Sequence, residues 1–181
     1  MSASPLCNYD LDRDLRIVSV DEGWSAFARE NGAVELLPPA ILGQPLLAHI
    51  TDPTTEHVYR TLFDTVRSRR QATAVPFRCD SPAQRRSCQL HIEPLPQDGL
   101  HLWTEVLSSE GRDEIRLLDR YRTHADALLS MCSWCKSVDV DGRWYSVEDA
   151  VAHLGLFDQS ILPALTHGIC DACFERLAGP E

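Results

Sequence analysis

The chain has 181 residues, 44% of them hydrophobic and 24% charged, which is enough apolar material for one ordinary core and a small annex but excludes a large multidomain assembly. Lys+Arg of 17 against Asp+Glu of 27 gives a formal net charge of −10, which sets most of the surface against a phosphate backbone, so no nucleic-acid partner is expected. No run approaches the roughly 18 uncharged apolar residues of a membrane helix, and Met1 to Asp14 lacks the basic start and apolar stretch of a secretory leader. No membrane association is expected, and the chain reads as a folded cytoplasmic protein. In that reducing setting, paired cysteines hold metal or do redox chemistry sooner than they form disulfides.

In chain order, Leu15 to Val20 mixes β-branched and polar residues after the turn-rich Asp10 to Asp14 and predicts a strand. Trp24, Phe27 and Ala28 fall at helical spacing before Asn31-Gly32, predicting a short helix. Pro38, Pro39, Gly43 and Pro45 break Leu36 to Ile50 into small helical pieces. Asp52 as cap, Pro53 at the first helical position and an apolar face of Val58, Leu62, Phe63 and Val66 predict a longer helix from about Thr54 to Arg69. Three strand-like stretches follow, Ala72 to Cys79, Ser87 to Pro94 and Leu100 to Leu107, separated by good turn chemistry at Asp80-Ser81-Pro82 and Gln97-Asp98-Gly99.

This order resembles a PAS domain over about residues 9–107. The resemblance is carried by Leu15 to Asp21 at the opening, by Ile41-Leu-Gly43-Gln-Pro-Leu46 before the long helix, and by Phe77 to Asp80 with Leu90 to Pro94 in the meander. It implies an α+β fold, with an opening strand pair, short helices, one longer helix and three further strands forming a five-stranded antiparallel sheet. It also implies a sensing role and a possible ligand between sheet and helices, to which the sequence assigns no binding residue. The Asn-Cys-Arg-Phe motif of the flavin-binding subclass is missing. His57, on the long helix from which PAS-type haem sensors ligate iron, reads as a surface histidine.

Residues 108–131 are charged, with Ile115, Leu118, Arg122, Ala125 and Leu129 at alternating steps of three and four. They predict a connector helix, either lying against its own domain or pairing at a homodimer axis as the helices that follow PAS modules do.

The chemistry is concentrated in residues 132–178. Cys132-Ser-Trp-Cys135 and Cys170-Asp-Ala-Cys173, 34 residues apart, are two knuckles that together complete a tetrahedral four-sulfur site. Zinc leads as the metal, because its thiolate site needs no redox partner; iron in a rubredoxin-like site or an iron–sulfur cluster is the alternative. About 50 residues bury too little to fold comfortably alone, so the metal would act as a staple in a small zinc-ribbon-like module. Asp141-Gly142 predicts a hairpin turn between Val138 and Tyr145, and Ser146 with Asp149 caps a short helix to Leu154. A terminal helix, Ala172 to Leu177, follows the second knuckle. Asp139-Val-Asp141-Gly142 resembles a calcium loop, but Ala150 stands where its twelfth, acidic position would be, which leaves a turn. The four-cysteine pattern with Thr166-His-Gly-Ile also resembles a module that trails PAS and receiver domains in bacterial signalling proteins, implying a signalling context and a signalling protein partner.

His167 reads either as a loop histidine or as a donor to a ligand, and stays outside the ligand set. Cys7, Cys79 and Cys88 lack partners at useful spacing and read as small buried side chains. Arg67, Arg69, Arg70, Arg78, Arg85 and Arg86 form the main basic concentration and read as a solvated face. No phosphate loop, nucleophile elbow or metalloprotease helix is present, so no catalytic residue is assigned and an enzyme is not expected. Two functions remain open: a sensing and regulatory protein coupling a PAS-like domain to a metal-stapled interaction module, or a thiol-based redox or metal sensor in which the first domain is a dimer scaffold.

Overall fold

The computed structural model describes residues 6–119 and 124–178. The chain is mixed α+β and divides into two compact units, one comprising Met1–Pro76 with Cys88–Leu107, the other Phe77–Ser87 with Ser108–Glu181. No helix among the described residues is long and apolar enough to cross a membrane.

The first unit opens with β1 (Cys7–Leu11) and β2 (Ile17–Val20), continues through α1 (Glu22–Glu30), two short 3-10 turns and α2 (Pro53–Arg69), and returns through β3 (Thr73–Arg78), β4 (Gln84–Pro94) and β5 (Leu100–Gly111). The five-stranded antiparallel sheet expected from sequence is present, in the order β2-β1-β5-β4-β3. Strand β1 pairs with β2 and with β5, in a register that sets Leu11 opposite Leu100 and Tyr9 opposite Leu102. Cys88, Leu90 and Ile92 alternate with polar residues, as do Leu100 and Leu102, so one face carries the core with Ile17, Val58, Phe63 and Val66. Each such fully buried aliphatic contributes roughly 1.5–3 kcal/mol relative to exposure. The opposite face carries Asp10 bonded to His101 at 2.6 Å, and Trp103 stacked on His91 at 4.5 Å between ring centroids.

The caps follow the local sequence. Asp21 accepts from the Trp24 amide at 2.7 Å and Asp52 from the Thr55 amide at 2.6 Å, starting α1 and α2. Arg70, with φ of 52°, ends α2 in the left-handed region. The structure extends the expected elements by a few residues at most, except that β1 precedes the single strand read at Leu15 to Val20. His57 is exposed on α2, as expected. Cys88 is buried, whereas Cys7 and Cys79 are half-buried.

Among the described residues of 108–131 the expected helix is not formed. Strand β5 runs on to Gly111, a 3-10 turn follows at Arg116–Leu118, and β6 (His124–Cys132) is a strand; Arg122 lies outside the described residues. The apolar residues at helical spacing serve two different elements instead, Ile115 and Leu118 at the 3-10 turn and Leu129 in β6, with Ile115 buried in the core of the second unit and Leu118 and Leu129 partly buried against it. Strand pairing explains the outcome, since β6 lies along β9 (Leu162–Gly168) in parallel from His124 opposite Leu162 to Cys132 opposite Gly168.

The second unit also departs from a zinc ribbon. Its four-stranded sheet has the order β8-β7-β6-β9, where β7 is Val138–Val140 and β8 is Arg143–Tyr145. A parallel pair needs a crossover, and here the β7–β8 hairpin and α3 (Val147–His153) supply it before α4 (Asp171–Ala178) closes the chain. Ser146 accepts from the Asp149 amide at 3.1 Å and caps α3 as its sequence indicates. Asp141 and Gly142 both take positive φ, 53° and 81°, forming the predicted turn, and Asp139 accepts from the Gly142 amide at 2.8 Å. Val138, Val147 and Ala150 are fully buried around Met131 and Leu162.

A candidate metal centre at the ends of two parallel strands

The parallel register of β6 and β9 brings the two knuckles together. Cys132 is the last residue of β6, and its register partner Gly168 ends β9 two residues before Cys170. In the first knuckle the Ser133 amide donates to Gly168 O at 2.8 Å and the Cys132 amide to Ser137 O at 2.7 Å. The Lys136 amide donates to Cys132 O at 3.1 Å, closing a tight turn in which Lys136 has φ of 63°. In the second, the amides of Cys173 and Phe174 both donate to Cys170 O, at 3.0 and 2.9 Å, so Cys173 rides on the first turn of α4.

Cys132, Cys135, Cys170 and Cys173 therefore converge, with all four sulfurs within 4.8 Å of one another. Cys135 Sγ and Cys170 Sγ lie 3.6 Å apart, close to the sulfur separation of about 3.8 Å that a tetrahedral site with bonds of about 2.3 Å requires. Cys132, Cys170 and Cys173 are buried and Cys135 half-buried, and all four are free thiols. Arg176 donates to Cys173 Sγ at 3.4 Å, and the Ser137 hydroxyl lies 3.2 Å from Cys135 Sγ.

Electrostatics argues that the cluster takes a cation. The Cys132 thiol, hydrogen-bonded to Cys135, pulls the Cys135 thiol down to about 4, helped by the Ser137 hydroxyl and amide. The same bond, with burial, pushes Cys132 up. Burial, and then the charge on Cys135, push Cys173 up to about 12. Four thiolates this close cannot all be charged without a counter-ion, which a soft divalent metal would supply. The residues fit such an ion in ligand type, number and spacing.

His167 is exposed and falls outside the group of converging donors. The arginine concentration is dispersed. Arg67 donates to Asp12 O at 3.0 Å, Arg86 to Cys79 O at 3.3 Å, and Arg78 is bound to the fully buried carboxylate of Asp80, so Arg78 is no part of a solvated face. Sequence reasoning missed the supporting network: Arg112 Nη1 reaches Asp80 at 3.1 Å and Glu148 at 2.7 Å. No local pattern announces an ion network whose members lie 32 and 36 residues apart.

No protein-family model matches the sequence, and no curated protein matches it. Among solved structures, a domain of an HTR-like protein from Haloarcula marismortui ATCC 43049 is similar at 18% identity, over 58% of this chain and 100% of that chain, with a TM-score of 0.41. The protein is thus defined by its own architecture, a mixed α+β chain with a five-stranded antiparallel sheet and a four-cysteine cluster near its C-terminus.

Proposed function

We propose that this is a signal-sensing regulatory protein of the bacterial cytoplasm, without catalytic activity. In this reading the first unit is a PAS-like sensor and the four-cysteine unit is a zinc-stapled surface for a signalling partner. The observation that carries the reading is the convergence of two knuckles, on opposite sides of a crossover, into one four-sulfur group. The PAS-like part is supported by the order of strand pair, short turns, long helix and three-stranded return, and by the strand order of the sheet. Zinc is favoured because a closed four-thiolate set with three buried members suits a structural ion. Pairing into a homodimer would use a surface other than a connector helix. Hydrogen exchange tests the coupling. Ile92→Ala, a core truncation in the first unit, is expected to change exchange rates in Met131 to Leu177; unchanged rates there would count against a sensor that communicates with its metal unit.

A second reading rests on the Cys135 thiolate 3.6 Å from Cys170. In a thiol-based sensor, hydrogen peroxide oxidises those two thiolates to a disulfide, taking up two protons and yielding two waters, and the metal is released. Mild peroxide should then expel the metal and a thiol reductant restore its binding. Metal retained under peroxide removes this reading.

A further inference from the structure

Strand β9 ends its sheet, since the order β8-β7-β6-β9 gives it β6 on one side and no strand on the other. Beyond that ladder, and among the described residues, no main-chain group of 162–167 is hydrogen-bonded to another segment. An unpaired row of N–H and C=O groups is a template for a further strand, and proteins blunt such edges with short strands, charged side chains, proline or bulges. The opposite edge of this sheet is blunted in that way, because β8 is three residues long and carries Arg143. Strand β9 is not. It has seven residues, none of them charged, and Pro163 blocks only its beginning. From Ala164 to Gly168 the edge is undefended, and Thr166 and His167 are exposed.

A cavity of about 400 Å³ adjoins this edge. It is lined by Ala164, Leu165 and His167 of β9, by Met131 of β6, and by Leu117 and Leu118 from the 3-10 turn. Consecutive residues of a strand point to opposite faces, so a cavity that reaches both Ala164 and Leu165 runs along the strand's edge. Asp80 and Lys136 complete the lining, but the Asp80 carboxylate is taken by Arg78 and Arg112, and Lys136 Nζ donates to Ser133 O at 2.9 Å. What the cavity offers an incoming side chain is therefore aliphatic surface.

The two features fit different parts of one molecule. Main-chain donors and acceptors in a row match an extended backbone, and an aliphatic cavity beside them takes one of its side chains, as in recognition by strand addition. A second copy of β9 is the poorer occupant, because two chains of net charge −10 repel and each brings a proline to the pair. We propose that β9 and this cavity form a groove for an extended segment of a partner protein, which adds a fifth strand to the sheet and seats one aliphatic side chain against Leu118, Met131 and Leu165. The groove deepens the proposed function, on which it rests, by giving the four-cysteine unit a place for its signalling partner.

The test selects heptapeptides from a displayed random library on the full chain, with zinc content measured in every sample. A selected peptide is expected to carry an aliphatic residue at one fixed position, to slow amide exchange at residues 164–168 at least tenfold, and to lose at least tenfold in affinity when that residue becomes serine. N-methylation of alternate peptide amides, one set and then the other, removes donors without touching the protein, and one of the two sets should weaken binding at least tenfold. Ala164→Phe, which fills the cavity away from the knuckles, should weaken it as much, with unchanged zinc content and circular dichroism as the check on folding. If no peptide is selected, if both methylated sets or the folded Ala164→Phe chain bind unchanged, or if peptides protect another part of the chain, the proposal is overturned. Protection of 164–168 that rises with chain concentration and needs no peptide would put a second copy on the edge and overturn it as well. Peptide binding at β9 by a chain without zinc would remove the metal and leave the groove standing, whereas a zinc-loaded chain that binds no peptide would remove the groove alone.

Discussion

The backbone amide of Arg78 donates to the carbonyl of Trp134 at 2.7 Å, which ties the end of β3 to the first cysteine knuckle within the second unit. The Arg78 side chain turns to Asp80, with Nε at 3.2 Å from Oδ1, and Asp80 in turn holds Arg112. The knuckle is therefore anchored from both sides, by β9 through Gly168 and by the meander tip through Arg78. The four-cysteine unit is larger than the residues between its cysteines, and Phe77–Ser87 belongs to it.

Asp80 is the centre of that anchor. Its carboxylate is fully buried between two guanidinium groups, and removing one partner of a buried ionic network leaves the others uncompensated, at a cost of about 3 kcal/mol or more. Asp80→Asn should therefore lower the unfolding free energy of the second unit by about that amount, measured by urea denaturation followed at Trp134. A loss below about 1 kcal/mol would place the ionic contact among the weak surface pairs.

Glu148 gives this network a pH dependence. Burial raises its pKa, but its own backbone amide and Arg112 outweigh that, and the folded-state value lies below the ordinary 4.5. A depressed folded pKa contributes stability that is present above the unfolded value and lost as pH falls through the folded one. The stability difference between the natural chain and Glu148→Gln should accordingly be constant above about pH 5 and shrink on acidification below the ordinary value. A difference that persists unchanged at pH 2 would show that the carboxylate charge is not what Arg112 recognises.

How far local chemistry specifies the fold shows at the hairpin turn. Gly142 has φ of 81° and open space where a Cβ would stand, so Gly142→Ala meets only a backbone penalty, about 1 kcal/mol. Gly111, in β5, has equal space and no positive φ, and Gly111→Ala should be neutral or slightly stabilising. Thermal unfolding of the two variants checks the contrast, and equal shifts would refute it.

The same distinction separates what the sequence makes legible from what it does not. Asp52-Pro53, Ser146 with Asp149, and Asp141-Gly142 act on neighbours within a few residues, and each appears in the structure where the local pattern puts it. The cysteine spacing is legible for the same reason, since each knuckle is a local turn. Strand β6 is not, because its partner β9 lies beyond an entire crossover, with His124 facing Leu162, and nothing near residues 115–129 signals that pairing. Apolar steps of three and four are then taken for a helix, while Ile115, Leu118 and Leu129 are in fact placed by tertiary packing. Pro163 conceals β9 as well; a strand at the sheet edge tolerates it because one side needs no ladder donor. Arg112 carries no signal at all, being defined by partners distant in sequence.

The proposed function depends on four sulfurs at the ends of two parallel strands holding one metal ion. Metal analysis and an absorption spectrum of protein purified without oxygen, set beside Cys173→Ser, test it most directly. About one zinc per chain with no visible band is expected, with loss of that zinc and of the α4 fold in the variant. Protein that is free of metal, with α4 equally protected in both chains, would contradict it.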